Sequence, residues 1–211
     1  MTSFSENDRI KSLGNVISSH RYWNKEQKIM KKTQIGKRIT DFMIIFWMFT
    51  IFAFSAQPAY QSSKTSHSVS YKIAEWKNQL FHQEKTEEEL YEEAESMQLL
   101  IRKNAHMGEY AFLAILLCFH FSYDSLSTPN LNLWRWHLKR LLPNSRKKQI
   151  IIKVLLITSG YAASDEFHQL FVPGRAGRLS DVCIDSLGGF LGIFFYFQVL
   201  NFRKIKHYRT K

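Results

Sequence analysis

Cysteine and proline are scarce in this chain. Two Cys in 211 residues exclude a disulfide-held scaffold, and four Pro leave long stretches free to be helical. Nine Gly without a repeating period exclude collagen-like or Gly-rich low complexity. No internal repeat is visible. Residues 1–38 hold no apolar run, so no cleaved secretory signal is expected. There is no G-x-S-x-G nucleophile frame and no H-E-x-x-H metal motif. Acidic residues are also few: 18 Asp and Glu stand against 29 Lys and Arg, giving a net charge of +11. Such an excess points to nucleic acid or to an anionic membrane surface, and the distribution of the charges decides between them.

What is abundant is apolar bulk. Hydrophobic residues make up 45% of the chain, and 17 Phe exclude a disordered polymer. The mean hydropathy of -0.25 averages two kinds of segment, since basic blocks alternate with apolar runs. Phe42 to Ala56 carries no charge, Ala111 to Phe119 is continuously apolar, Ile150 to Ala163 is interrupted only by Lys153, and Val182 to Leu200 only by Asp185. About 20 residues cross a bilayer. Four spans are therefore expected, at about 39–57, 104–123, 150–170 and 182–200. The fold class expected is all-α, a polytopic membrane protein. The alternative, a soluble bundle, is disfavoured because residues 42–56 and 186–200 are apolar all round rather than striped.

Lys and Arg set the orientation. The 1–38 tail, the 124–149 connection and the 201–211 tail together carry twenty, against eight in the 57–103 and 171–181 connections. Both termini are therefore expected in the cytoplasm, which accounts for the basic excess without nucleic acid. Trp134 and Trp136 sit among the charges of the 124–149 connection as interfacial anchors would. Residues 58–103 read as a long outer loop: Ser-rich at first, then acidic with Glu84, Glu87, Glu88, Glu89, Glu92, Glu93 and Glu95, whose spacing suggests a surface helix.

This topology places most ionisable residues of the spans at one depth. Span one leaves at Ser55-Ala56-Gln57. Span two enters with Arg102, Lys103, His106, Glu109 and Tyr110. Span three leaves with Asp165, Glu166, His168 and Gln169. Arg175 and Arg178 follow in the return loop, and span four begins with Asp181 and Asp185. Arg102, His106 and Glu109 share a helix face, as do Tyr161, Asp165, His168 and Gln169. Gly188-x-x-x-Gly192 allows close helix approach and turns Asp185 toward a neighbour. A charge in lipid costs about 2.5–3.5 kcal/mol on insertion scales, so these groups are expected to pair or to line a wet pocket. Glu109 or Asp185 with Arg102 or Arg175 are the natural pairs, Arg175 with Asp185 first among them. Ser180 is placed to cap the last helix.

The stretches FSAQP (54–58), RKNAHMGEYAFLA (102–114) and SDEFHQLFVPGRAGRLSDVCIDSLGGFLG (164–192) resemble the VanZ-like family of bacterial membrane proteins. The resemblance covers roughly 39–200, leaving a basic cytoplasmic tail at 1–38 and another at 201–211. It implies a multi-pass protein of the cell membrane, in a family named for a teicoplanin-resistance determinant. Its motif positions fall on Lys103, His106, Glu109, Tyr110, Asp165, Glu166, His168, Gln169, Pro173, Gly174, Arg175, Asp181 and Asp185. The chain departs from the family pattern at Asp185, where many members carry Asn, which implies a need for hydrogen bonding more than for charge.

Several readings of the pocket follow. As an enzyme on an envelope lipid or cell-wall precursor, it would use His106 or His168 as general base, with Glu109, Asp165 or Glu166 orienting it or acting as acid. Arg175 and Arg178 would hold phosphate or carboxylate. Arg102, Lys103, Tyr110, Gln169, Asp181 and Asp185 complete the expected binding set. As a binder, the same pocket would hold such a molecule without needing a base. A transporter is disfavoured because four spans are few and none is broken in its middle. The structural alternative is that the charges are ion pairs gluing helices together. A metal-dependent variant would draw on His106, Glu109, Asp165, His168 and Asp181, but the spacings do not match a metal motif. No metal and no cofactor are expected. Cys118 and Cys183 read as structural. The expected partners are the bilayer and an envelope lipid or cell-wall precursor.

Overall fold

A computed structural model describes residues 6–124 and 144–209. Among these residues there are five helices and no strand: α1 (Glu6–Ser55), α2 (Ala59–Phe81), α3 (Glu87–Asp124), α4 (Asn144–Gln169) and α5 (Leu179–Arg209). Residues 125–143 of the basic connection, with Trp134 and Trp136, lie outside the described residues, as do residues 1–5 and 210–211 of the tails.

Three helices contain segments long and apolar enough to cross a membrane: Thr33–Ser55, Glu87–Ser122 and Leu179–Asn201. That fits a membrane protein. The segment expected as a further span, 150–170, does form most of α4, but α4 is not among the three. The reason lies in its composition. It carries Lys153, Thr158, Ser159, Ser164, Asp165, Glu166, His168 and Gln169, of which Thr158, Asp165, Glu166 and Gln169 are turned into the bundle and buried.

Helix α3 is the central element and packs against all four others. At 38 residues it is about 57 Å long, nearly twice the thickness of a hydrocarbon core. Its first half pairs with α2, so the stretch expected as an outer loop is a helical hairpin. The hairpin has local causes. Thr86 and Glu89 form a capping box at the start of α3: the Thr86 N–H donates to Glu89 Oε2 at 2.8 Å and the Glu89 N–H to Thr86 Oγ1 at 3.3 Å. In α2, Ser66, Ser70 and Ala74 recur every four residues and are buried, with Leu90 and Ala94 of α3 also buried. Lys77 and Lys85 each reach a different oxygen of Glu93 at 2.6 Å.

In its second half, α3 runs parallel to α5 at close range. The core here comprises Tyr110, Leu113, Ala114, Leu117 and Cys118 of α3 with Ile51, Val154, Ala162 and Ile193. The outward faces are as apolar as the core: Phe42, Ile45, Phe46 and Phe49 of α1, Ile152 and Leu156 of α4, and Phe190, Phe194 and Phe195 of α5 are all exposed. Such an exterior suits lipid and is unsuited to water.

The close approach rests on glycine. A Cβ on Gly188 would lie 2.2 Å from the Met107 carbonyl oxygen, and one on Gly192 would lie 2.1 Å from that of Ala111. The GxxxG pair therefore serves intrachain packing, as its spacing suggested. Gly192→Ala is expected to force the two backbones apart and destabilise the fold by about 1–3 kcal/mol. Gly160→Ala, with nothing within 4 Å of its Cβ, should be neutral or slightly stabilising. Thermal unfolding of both variants in detergent checks the contrast.

Candidate functional site

The ends of α1 and α4 and the start of α5 lie together beside the middle of α3. The chain turns there at Pro173-Gly174, with Gly174 at φ +74°, a left-handed conformation that favours glycine. This turn aims Arg175 at two carbonyls at and just beyond the α1 end, those of Gln57 and Phe54, the latter also accepting the Gln57 N–H at 3.3 Å. Arg175 Nε donates to the Gln57 carbonyl at 2.9 Å and Nη2 to that of Phe54 at 3.4 Å. A cation there also complements the α1 dipole. The Ala59 N–H donates to the Pro173 carbonyl at 3.2 Å, tying the start of α2 to the same turn.

These constraints enclose a cavity of about 150 Å³. Helix α3 contributes Leu99, Arg102, Lys103 and His106, α4 contributes Glu166 and Gln169, and α5 contributes Asp181, Ile184 and Asp185. The turn adds Gly174, Arg175, Ala176 and Arg178, and α2 adds Ala59. Its polar lining is graded. Asp185, Glu166 and Gln169 are buried, whereas Arg102, Lys103 and Arg175 are half-buried and Arg178 is exposed. A cationic rim thus stands over a floor of carboxylates and an amide.

The lining makes specific bonds. Lys103 Nζ meets Asp181 Oδ1 at 3.0 Å, joining α3 to α5. Glu166 Oε2 accepts the Arg178 backbone N–H at 2.8 Å, just ahead of α5. A carboxylate from α4 thereby serves the N-terminus of α5, the role expected of Ser180. Because α5 begins at Leu179, Ser180 already lies within its first turn. The expected Arg175–Asp185 pair does not form: Arg175 is directed to the α1 carbonyls by the turn at Gly174. Glu109 pairs with neither arginine. Its Oε2 lies 3.3 Å from His106 Nδ1 on its own helix.

Of the residues expected from the sequence, Arg102, Lys103, His106, Glu166, Gln169, Arg175, Asp181 and Asp185 line the cavity, while Glu109, Tyr110, Asp165 and His168 lie outside its lining. Gln169 connects the layers, since its Nε2 donates to Ser55 Oγ at 2.9 Å and to Asp165 Oδ2 at 3.1 Å. The His168 ring packs 4.5 Å from Phe52, and Tyr161 Oη donates to the Met48 carbonyl at 2.6 Å, so both face α1. Tyr110 Oη and Asp165 Oδ1 are buried without a protein hydrogen-bond partner. Among the described residues no three His, Cys, Asp or Glu side chains are arranged to hold a metal ion, so the metal-dependent variant has no ligand set there. The sequence did not point to Ala59, Leu99, Ala176 or Ile184; the place of Ala59 and Leu99 beside the cavity follows from the α2–α3 hairpin.

A family model described as VanZ/LLP1 matches residues 42–201. The chain belongs to the VanZ/LLP1 family. No curated protein and no solved structure matches it. The matched segment contains every residue of the cavity and leaves the first part of α1 outside. In this VanZ-like chain the family segment is thus the part that builds the polar site.

Gln169 should be the most sensitive non-ionisable position of the site. Gln169→Leu strips Ser55 and Asp165 of their shared donor while keeping the volume similar. A loss of about 1–3 kcal/mol is expected from the orphaned carboxylate. Gln169→Glu, which keeps an acceptor but puts a second carboxylate beside Asp165, should be at least as harmful. Unfolding midpoints in detergent measure both.

Proposed function

We propose that this VanZ-like protein crosses the bacterial cell membrane four times, with both termini cytoplasmic, and that its cavity faces outward and holds the polar head of an envelope lipid or cell-wall precursor. The observation that carries the reading is a charged cavity at one end of a bundle whose flanks are apolar. A polar head can be taken up there while its apolar part stays beside the helices.

Helix α4 supplies the fourth crossing despite its polar residues. Because α3 and α5 run parallel, the chain must return across the membrane between them, and α4 is the element that does so. The Lys and Arg bias supports cytoplasmic tails. In this frame residues 1–38 and 201–211 are cytoplasmic and the α2–α3 hairpin projects outside.

The structural alternative, in which every charge is helix glue, is disfavoured by Arg102 and Arg178. Both side chains line the cavity without a hydrogen-bond or ion-pair partner among the described residues. A second reading, acid–base chemistry on the bound molecule, is favoured by one observation: His106 lines the cavity with a Glu109 carboxylate oxygen 3.3 Å from its Nδ1, an ion-pair distance without a hydrogen bond. His168, turned to Phe52, is not part of that arrangement.

Lipid and cell-wall precursor profiles of cells with and without the chain test the proposal, with glycopeptide susceptibility measured alongside. At least one precursor or lipid pool should change. His106→Asn at matched membrane abundance should retain the change if the site binds and abolish it if the site performs acid–base chemistry. Identical profiles and susceptibilities with and without the chain would contradict the proposed function.

A further inference from the structure

The rim of the cavity carries three guanidinium groups, those of Arg102, Arg175 and Arg178, none of which forms an ion pair with a carboxylate among the described residues. Lys103 is matched by Asp181. Glu166 is committed to the Arg178 backbone, not to a guanidinium. Arg175 is held by two backbone carbonyls, which fix its position but leave its charge unpaired. Arg102, on a different element, lies near enough that its charge, after burial, is the next cause lowering the Arg175 pKa below its ordinary value. Two like charges thus line one cavity with Arg178 on the same rim; Asp165, Glu166 and Glu109 favour the Arg175 charge, but none forms an ion pair with either guanidinium among the described residues.

Resting on the envelope-head reading above, we propose that the group bound at this rim is a phosphate, held between the guanidinium groups of Arg102 and Arg175. A carboxylate presents two coplanar oxygens and satisfies one guanidinium fork. A phosphate presents oxygens in several directions and can accept from guanidiniums on two elements at once. Arg175 is preorganised for this by its bonds to the α1 end, so little ordering is needed on binding. Arg102 lies just before residue 104, at the membrane surface in this topology, the depth at which lipid phosphates reside. The cavity volume of about 150 Å³ suits a small head group rather than an acyl chain.

The full-length protein in detergent can be titrated with short-chain phosphatidic acid, the diacylglycerol with the same tails, a short-chain glucosyl diacylglycerol and inorganic phosphate. Thermal stabilisation gives each apparent Kd. Phosphatidic acid should bind and diacylglycerol should not. Arg102→Gln should raise the phosphatidic acid Kd about tenfold or more, the loss of one charge-assisted bond. Arg175→Gln should do the same, and Lys72→Gln on the exposed face of α2 should not. Arg102 has no protein partner to lose, so its variant decides the matter even if Arg175→Gln loosens the turn. Inorganic phosphate binding as tightly as phosphatidic acid assigns the site to a free phosphate; much weaker binding assigns it to a lipid head. Equal binding of diacylglycerol and phosphatidic acid, or wild-type affinity in Arg102→Gln, overturns the phosphate. Binding of the glucosyl lipid alone overturns it while leaving the envelope-head reading standing, and binding of none of the four overturns both.

Discussion

The contact between α3 and α5 governs the rest of the molecule. Only glycine at 188 and 192 lets the α5 backbone lie against the carbonyls of Met107 and Ala111. That approach runs the two helices parallel and puts Asp181 within reach of Lys103 and Asp185 on the same cavity wall as His106. It also constrains the path of the chain, because parallel neighbours require a returning segment between them. Helix α4 provides it and, in ending where α5 begins, delivers Glu166 and Gln169 to the same place. Burying Asp185 is costly in apolar surroundings; it is borne where polar side chains from three helices and a turn gather, at one end of the bundle.

The same economy explains the bonds of the turn. Beyond the end of α1 and ahead of the start of α5 the chain leaves the regular helical bonding pattern, and its carbonyls and N–H groups need partners from elsewhere. In water, solvent would serve both. Here Arg175 serves the first and Glu166 the second, each from another element. Both are site residues by position and structural residues by bonding. The Arg102 and Arg178 side chains differ: they line the cavity and make no hydrogen bond or ion pair among the described residues, although the Arg178 backbone anchors the start of α5. His106 lies between these classes, packed beside Glu109 yet open to the cavity.

Much of this was legible in the sequence because the relevant signals are local. Apolar run lengths located α1, α3 and α5, helical spacing grouped Arg102, His106 and Glu109, and the glycine spacing predicted a close contact facing Asp185. The motifs that resemble the VanZ-like family fall on the elements that form the cavity. What was not legible depends on partners distant in sequence. Nothing local says that Arg175 meets Phe54 and Gln57 rather than Asp185, since that follows from the direction of the turn. Residues 58–103 read as a loop because their hydropathy is low, although the Thr86–Glu89 capping box and the small residues at 66, 70 and 74 were signals of a helical hairpin. His168 shares a face with Asp165 and Gln169, but where that face points was set by α1.

The central claim is that charged groups from separate helices form one cavity at the outer end of a four-span bundle. Side-specific labelling tests it most directly. In a background with Cys118 and Cys183 replaced by Ser, single cysteines at Ala176 on the cavity and at Arg146 near the start of α4 can be treated in intact cells with a membrane-impermeant thiol reagent. The account expects Ala176→Cys to react from outside and Arg146→Cys to react only after the membrane is opened. Labelling of Arg146→Cys in intact cells, or protection of Ala176→Cys until lysis, would contradict it.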